Sequence, residues 1–149
     1  MKPSPNDWPR ITSGLYYRDA ARAIDWLCQA FGFAVRLRVE RDDGSIAHSE
    51  LEYGGGLIMV GQEEAADTPP RFGRRCVSPL TAGGNTQGLT VYVDDVDAHC
   101  ARARAAGASI IDEPRVHDYG EDHWADRSYG ALDCDGHVWW FSQRLRSQR

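Results

Sequence analysis

The apolar positions of this chain change period several times, and each change marks a predicted element. Ala20, Ala23, Ile24, Leu27 and Phe31 recur at helical spacing and make one apolar face. Asp19 precedes them as an N-cap and Gly32 follows as a C′ stop, so a helix is expected between the two. The preceding run ITSGLYYR reads as a strand. After Gly32, Phe33, Val35, Leu37 and Val39 alternate with Arg36, Arg38 and Glu40, which is strand periodicity. Asp43-Gly44 is a hairpin turn signal. IAHSELEY and LIMVGQ, parted by Gly54-Gly55-Gly56, then predict two more strands.

The second half repeats this order. GLTVYVDD is a strand with Leu89, Val91 and Val93 on one face. Asp94 or Asp95 caps a helix with Val96, Cys100, Ala103 and Gly107 along one stripe. ASIIDEPRV, HWADRSYGALD and HVWWFSQ supply three further strands. An offset of 76 residues places Tyr16 on Tyr92 and Asp19 on Asp95. Such an internal period signals a duplicated architecture. The expectation is one α+β domain over 1–149, built as tandem βαβββ modules: 10–61, a Pro/Gly/Thr/Ser-rich linker over 62–86, and 87–143. Each helix covers one face of its small sheet. The other faces are expected to form a cup-shaped mixed sheet with the helices outside, and any site lies in that cup.

Composition narrows the function. A net charge of -5 disfavours nucleic acid as a partner, since phosphate neutralisation needs clustered Lys and Arg. The basic tail from Arg144 to Arg149 is the local exception and reads as a solvated end. No apolar run approaches a membrane span, and the N-terminus does not resemble a signal peptide. Cys28, Cys76, Cys100 and Cys134 form no CxxC pair and read as reduced thiols in a cytoplasmic protein. Cys100 falls on the apolar stripe of its helix, and none of the four is expected to be a nucleophile.

The runs YYRDAARAIDWLCQAFGF, DGSIAHSELEYGGGLIMVG, QGLTVYVDDVDAHCARARAAGA and DCDGHVWWF, in this order, resemble the glyoxalase / bleomycin-resistance / extradiol-dioxygenase (vicinal oxygen chelate) superfamily. The resemblance covers roughly residues 10–143. It implies paired βαβββ modules, usually in a homodimer. In metal-dependent members a divalent ion is held by one His, Gln or Glu from each of four strands. Carried over strand by strand, those positions fall on Thr12, Met59, Gly88 and Trp140. None is a competent ligand for such a cation, so the resemblance points to a metal-less, glyoxalase-like branch needing no cofactor. The acid- and histidine-bearing DCDGHVWWFSQ is then a turn at Asp135-Gly136 followed by a strand that His137 opens.

Candidate residues follow from strand parity. Parity puts Trp139 and Trp140 on opposite faces, and the register carried over with the resemblance implies that Trp139 and Phe141 point under the second helix while Trp140 faces the cup, where it stacks on a flat ligand or fills the cavity or the dimer seam. Tyr16 and Tyr92 hold matching cup positions. Met59 and Thr90 join them as ligand-binding candidates. His48, Glu50 and Glu52 share one strand face, and His48 with Glu50 is the candidate pair for general base and orienter. His117, Asp118, His123 and Asp126 sit in what reads as a loop entering a strand. Tyr119 and Trp124 are lid aromatics there, and Arg127 could reach an anionic group.

Two functions compete. One is a metal-free protein that binds a small, partly aromatic molecule in the cup, without turnover. The other is a lyase, isomerase or dioxygenase of the same superfamily using a displaced metal or a Glu/His base. A structural or regulatory partner role, using the open sheet for association, has no positive feature behind it beyond the acidic surface.

Overall fold

The computed structural model describes residue 2, residues 4 and 5 and residues 8–147. The chain divides into two compact units, one ending at Gly83 and the other beginning at Gly84. The first carries β1 (Ser13–Tyr17), α1 (Ala20–Phe31), β2 (Ala34–Glu40), β3 (Ile46–Tyr53), β4 (Gly56–Gln62) and the short α2 (Pro79–Ala82). The second carries β5 (Gly88–Tyr92), α3 (Val96–Ala105), β6 (Ser109–Asp118), β7 (Ala125–Leu132) and β8 (Val138–Arg146). The tandem βαβββ order expected from the sequence is what the chain adopts.

Each unit holds one four-stranded mixed sheet, in the orders β1-β4-β3-β2 and β5-β8-β7-β6. β1 runs parallel to β4 and β5 parallel to β8, while the other pairs are antiparallel. The registers repeat as well. Gly14 pairs with Met59 and Tyr16 with Gly61; correspondingly, Thr90 pairs with Trp140 and Tyr92 with Ser142. Tyr16 and Tyr92 therefore occupy equivalent places in the two sheets.

The caps form where the sequence puts them. The Asp19 side chain accepts from Arg22 N at 3.0 Å, and Gly32 closes α1 at φ 82°, a backbone region that favours glycine. Asp95, not Asp94, caps α3 through Ala98 N at 2.9 Å. One face of α1 buries Ala23, Ile24, Leu27 and Phe31, and Leu15, Tyr17, Leu51, Ile58 and Val60 of the sheet are buried with them. Each such large apolar side chain stabilises the fold by about 1.5–3 kcal/mol. In the second unit, Trp139, Phe141 and Tyr129 are fully buried, along with Val96, Cys100 and Ala103 of α3. The Trp139 and Phe141 rings stack with centroids 6.1 Å apart, and His99 of α3 lies 4.3 Å from Phe141. The His99 Nδ1 also meets the Tyr129 hydroxyl at 2.7 Å, so these two polar rings satisfy one another.

Three expectations change. Arg144 and Arg146 are not a solvated end, because β8 continues through them and pairs them with Asp126 and Ala125 of β7. Gln148 and Arg149, at the end of the basic tail, lie outside the described residues. His117, Asp118 and Asp126 are not in a loop. β6 runs to Asp118, β7 starts at Ala125, and His117 faces Asp126 across the ladder. Only 119–124 are the connecting turn, because cross-strand pairing overrides its Gly- and Asp-rich composition. The Pro-rich stretch after β4 also has structure. The Arg75 Nη2 donates to the carbonyls of Ala66 at 2.5 Å and Thr68 at 2.6 Å, and its Nε to that of Ala65 at 3.2 Å. Among the described residues, no helix is long and apolar enough to cross a membrane.

Candidate functional site

DCDGHVWW folds as a turn. The buried Asp133 Oδ1 accepts from the backbone N–H of Asp135 at 3.0 Å and of His137 at 2.9 Å. Gly136 supplies the left-handed residue at φ 88°. The same carboxylate accepts the Trp139 indole N–H at 2.9 Å, which points that indole toward the helix side. Trp140, one residue on, consequently lies on the opposite face.

That face of the second sheet holds a hollow of about 360 Å³. β5 contributes Thr90 and Tyr92, and β8 contributes Trp140 and Ser142. β7 adds Asp126 and Ser128, and the end of β6 adds His117, with Tyr119 following. The Trp140 ring lies across Gly130 of β7. A Cβ built on Gly130 would stand 3.0 Å from Trp140 Cζ3 and 3.1 Å from Cη2. The glycine is what lets the indole lie close over the strand.

The polar wall is ordered by Arg144. Its Nε donates to Asp126 Oδ1 at 2.5 Å, and its Nη2 donates to the Tyr92 hydroxyl. That hydroxyl donates to Asp126 Oδ2 at 3.2 Å. The guanidinium also lies 5.1 Å from the Tyr92 ring centre and 5.6 Å from that of Trp124. Trp124 in turn meets Tyr119 with centroids 5.4 Å apart. Ser128 and Ser142 share a buried hydrogen bond at 2.9 Å.

Of the residues expected to bind ligand, the structure thus gathers Thr90, Tyr92 and Trp140, with Trp124 joined through Arg144. Arg127 is not brought to this face. It belongs to the alternate set on β7, beside Tyr129, and its guanidinium is held by Asp97 of α3 at 2.7 and 2.8 Å. Arg144 was missed as a site residue. The parity of 140, 142 and 144 along one strand is the signal that would have found it.

In the first unit, the Tyr16 ring lies over Gly61, whose added Cβ would sit 3.2 Å from Tyr16 Cε1. Burial, and then a hydrogen bond with the Cys76 side chain, push the Tyr16 phenol above its ordinary range. Met59 is half-buried on β4, opposite Gly14. Glu50 is 7% exposed. Its Oε1 meets His48 Nε2 at 3.0 Å and its Oε2 meets Arg36 Nε at 3.3 Å. A larger hollow of about 550 Å³ opens near Trp8, Arg36, Glu52 and Gly54. It contains none of the predicted ligand residues, so the smaller hollow is the better candidate.

The four positions carried over for a divalent cation offer a hydroxyl, a thioether, no side chain and an indole. That donor set does not fit a hard or borderline ion. Among the described residues, no three His, Cys, Asp or Glu side chains form a group that could hold one.

Comparison with known proteins agrees with this geometry. A family model described as Glyoxalase/Bleomycin resistance protein/Dioxygenase superfamily matches residues 10–141. The crystal structure of TioX from Micromonospora sp. ML1 is 33% identical, with a TM-score of 0.69 over 93% of this chain and 100% of that one. The uncharacterized protein Rv0887c of Mycobacterium tuberculosis is 31% identical over 138 residues, covering 93% of this chain and 76% of that protein. TnmS3, an antibiotic binding protein from Streptomyces sp. CB03234, shares the fold at 19% identity and a TM-score of 0.60, over 89% of this chain and 93% of its own. The duplicated βαβββ order, the repeated strand registers and the match over nearly the whole length have one explanation: the chain belongs to the glyoxalase/bleomycin resistance protein/dioxygenase superfamily.

Proposed function

We propose that this protein binds a small, planar, partly aromatic molecule on the open face of its second sheet, without a metal ion, and holds it without turnover. The observation that carries this reading is the Trp140 indole, laid across Gly130 as the floor of a hollow of about 360 Å³. Offset stacking on such a ring contributes about 0.5–1.5 kcal/mol beyond the area buried. Tyr92 and Thr90 flank the floor. TnmS3, of the same fold, is described as an antibiotic binding protein. Its likeness to this chain supports the fold alone, so the reading rests on the surface itself.

The same reading takes the working protein as a cytoplasmic homodimer, with no nucleic acid or membrane as partner. Light scattering coupled to size exclusion tests the dimer. The binding test is a fluorescence titration of the full chain with flat aromatic molecules, in parallel with Trp140→Phe and with a strong chelator present. Quenching that survives the chelator and is lost in the variant is the expected result. Quenching abolished by the chelator would overturn metal-free binding.

A second reading has one observation behind it. His48 and Glu50 stand 3.0 Å apart, the geometry of a base and its orienter. Arg36 occupies the other carboxylate oxygen, which makes Glu50 less available to take a substrate proton. Proton–deuterium exchange at carbon α to a carbonyl, lost in Glu50→Gln, would establish this chemistry in place of simple binding.

A further inference from the structure

The hollow over the second sheet has a hydrogen-bonding balance that narrows what it holds. Its carboxylate is spent: Asp126 takes Arg144 on one oxygen and Tyr92 on the other. Its cation is spent on the same pair, and its charge is cancelled there. Tyr92 both donates to Asp126 and accepts from Arg144. The fixed charges close on one another, and His117 of the same wall lies opposite Asp126 across the ladder, so a charged ligand entering here loses hydration and meets no fixed uncompensated charge.

The neutral donors are not spent. Ser128 and Ser142 carry two hydroxyl protons and use one between them. Among the described residues, neither the Thr90 hydroxyl nor the Trp140 indole N–H has a hydrogen-bond partner. An indole N–H can only donate. The wall around the aromatic floor thus has uncharged donors to give in the serine pair and Thr90, with the Tyr119 hydroxyl beside them.

From this we infer that the ligand is an uncharged planar aromatic carrying carbonyl oxygen acceptors on one edge, rather than an aromatic cation or carboxylate. The inference rests on the binding function proposed above and adds its chemical class. The floor stacks on the ring system, and the serine pair and Thr90 donate to the oxygens.

The test is calorimetric titration of the full chain with three rigid planar probes of similar area: flavone, the cation proflavine and the anion 2-anthroate. Flavone is expected to bind about ten-fold more tightly than either charged probe. The double variant Ser128→Ala with Ser142→Ala removes both members of the pair together, so no buried group is orphaned. It should weaken flavone about five-fold and leave proflavine unchanged, with thermal unfolding confirming the fold. Thr90→Val should weaken flavone in the same direction. Tighter binding of proflavine or 2-anthroate, still dependent on Trp140, overturns this inference and leaves the binding function standing. Flavone binding unaltered in the double variant and in Thr90→Val overturns it too. If none of the three probes binds, both this inference and the function beneath it fall.

Discussion

Asp133 Oδ2 accepts the indole N–H of Trp139 at 2.9 Å, and both residues are buried. One carboxylate so joins the turn before β8 to the core beneath α3. Replacing Asp133 by Ala leaves the backbone N–H groups of Asp135 and His137 and the indole N–H without their acceptor. Hydrogen bonds to a charged group contribute about 1.5–3 kcal/mol, and orphaned buried donors add to the loss. We expect Asp133→Ala to cost about 3 kcal/mol in urea unfolding, and Asp133→Asn about half of that. An unfolding midpoint unchanged in the alanine variant would show that the turn is not held by this side chain.

The Gly130–Trp140 contact gives a second expectation. A methyl group at position 130 would stand 3.0 Å from the indole and 3.2 Å from Ile111 Cγ1. Both neighbours must move, and overpacking of this kind costs about 1–3 kcal/mol. Gly130→Ala should lose stability in that range and bind flat probes more weakly, because the indole tilts off the strand. Gly88, on the edge strand β5 at the other side of β8, has looser contacts beginning at 3.7 Å, so Gly88→Ala serves as the control. Equal binding losses in the two variants would argue against a special role for the indole's seat.

Local pattern sufficed for the elements. The helix caps at Asp19 and Asp95, the alternation in β2 and the Asp135-Gly136 turn are consequences of neighbours in sequence, and all can be read one residue at a time. Strand parity also separated Trp139 from Trp140 correctly. What could not be read this way depended on pairing between distant strands. Arg144 looked like the start of a charged tail because its partners, Asp126 and Tyr92, are 18 and 52 positions away. His117 and Asp126 looked like loop residues because only the β6–β7 register makes them opposite. Arg127 was assigned to the ligand face because nothing local shows that Asp97 of α3 reaches it.

Arg127 supplies a third prediction. Its side chain is turned toward α3, while Thr90, Tyr92 and Trp140 share the other face. Arg127→Ala should leave the affinity for any ligand of that hollow unchanged within about two-fold, since substitutions distant from a contact rarely couple to it. The same variant should change the acid limb of stability. Asp97 is held below the usual carboxylate range by its hydrogen bond to Arg127. A depressed folded value means stability that is present above the unfolded value and lost as pH falls through the folded one. Without Arg127 that contribution disappears, so stability should depend less on pH in the acid range. A large affinity loss in Arg127→Ala would place this residue back among the ligand contacts.

Tyr16 titrates in the opposite sense. Its phenol is raised above 10.0, first by burial and then by the hydrogen bond with Cys76. The neutral form is therefore favoured in the folded protein. Stability from this group is fully present below pH 10.0 and is lost as pH rises through the raised folded value. Tyr16→Phe should flatten the alkaline limb of the stability curve. Cys76→Ala should lower the phenol part of the way, because burial, the larger cause, remains. Ultraviolet difference absorbance of the phenolate follows both. A Cys76→Ala phenol that titrates at or above the original value would contradict the assignment.

Arg144 binds three residues at once, and its geometry makes the last prediction specific. Nε reaches Asp126, Nη2 reaches Tyr92, and the guanidinium lies within 5.6 Å of the centres of both the Tyr92 and Trp124 rings. Arg144→Ala leaves the nearly buried Asp126 carboxylate without its cation. An entirely buried pair broken in this way costs about 3–5 kcal/mol. The Arg144 side chain is 36% exposed, so water screens part of that loss, and a measurable but much smaller destabilisation is expected. Lysine should not rescue it, because a point charge cannot span both acceptors in a fixed fork. Asp126→Asn in the Arg144→Ala background should recover part of the stability by removing the unpaired charge. A double-mutant cycle in urea, read alongside Trp124 emission, measures each term. Full stability in Arg144→Lys would mean that charge alone, and not the planar fork, holds Tyr92 and Trp124 beside the hollow.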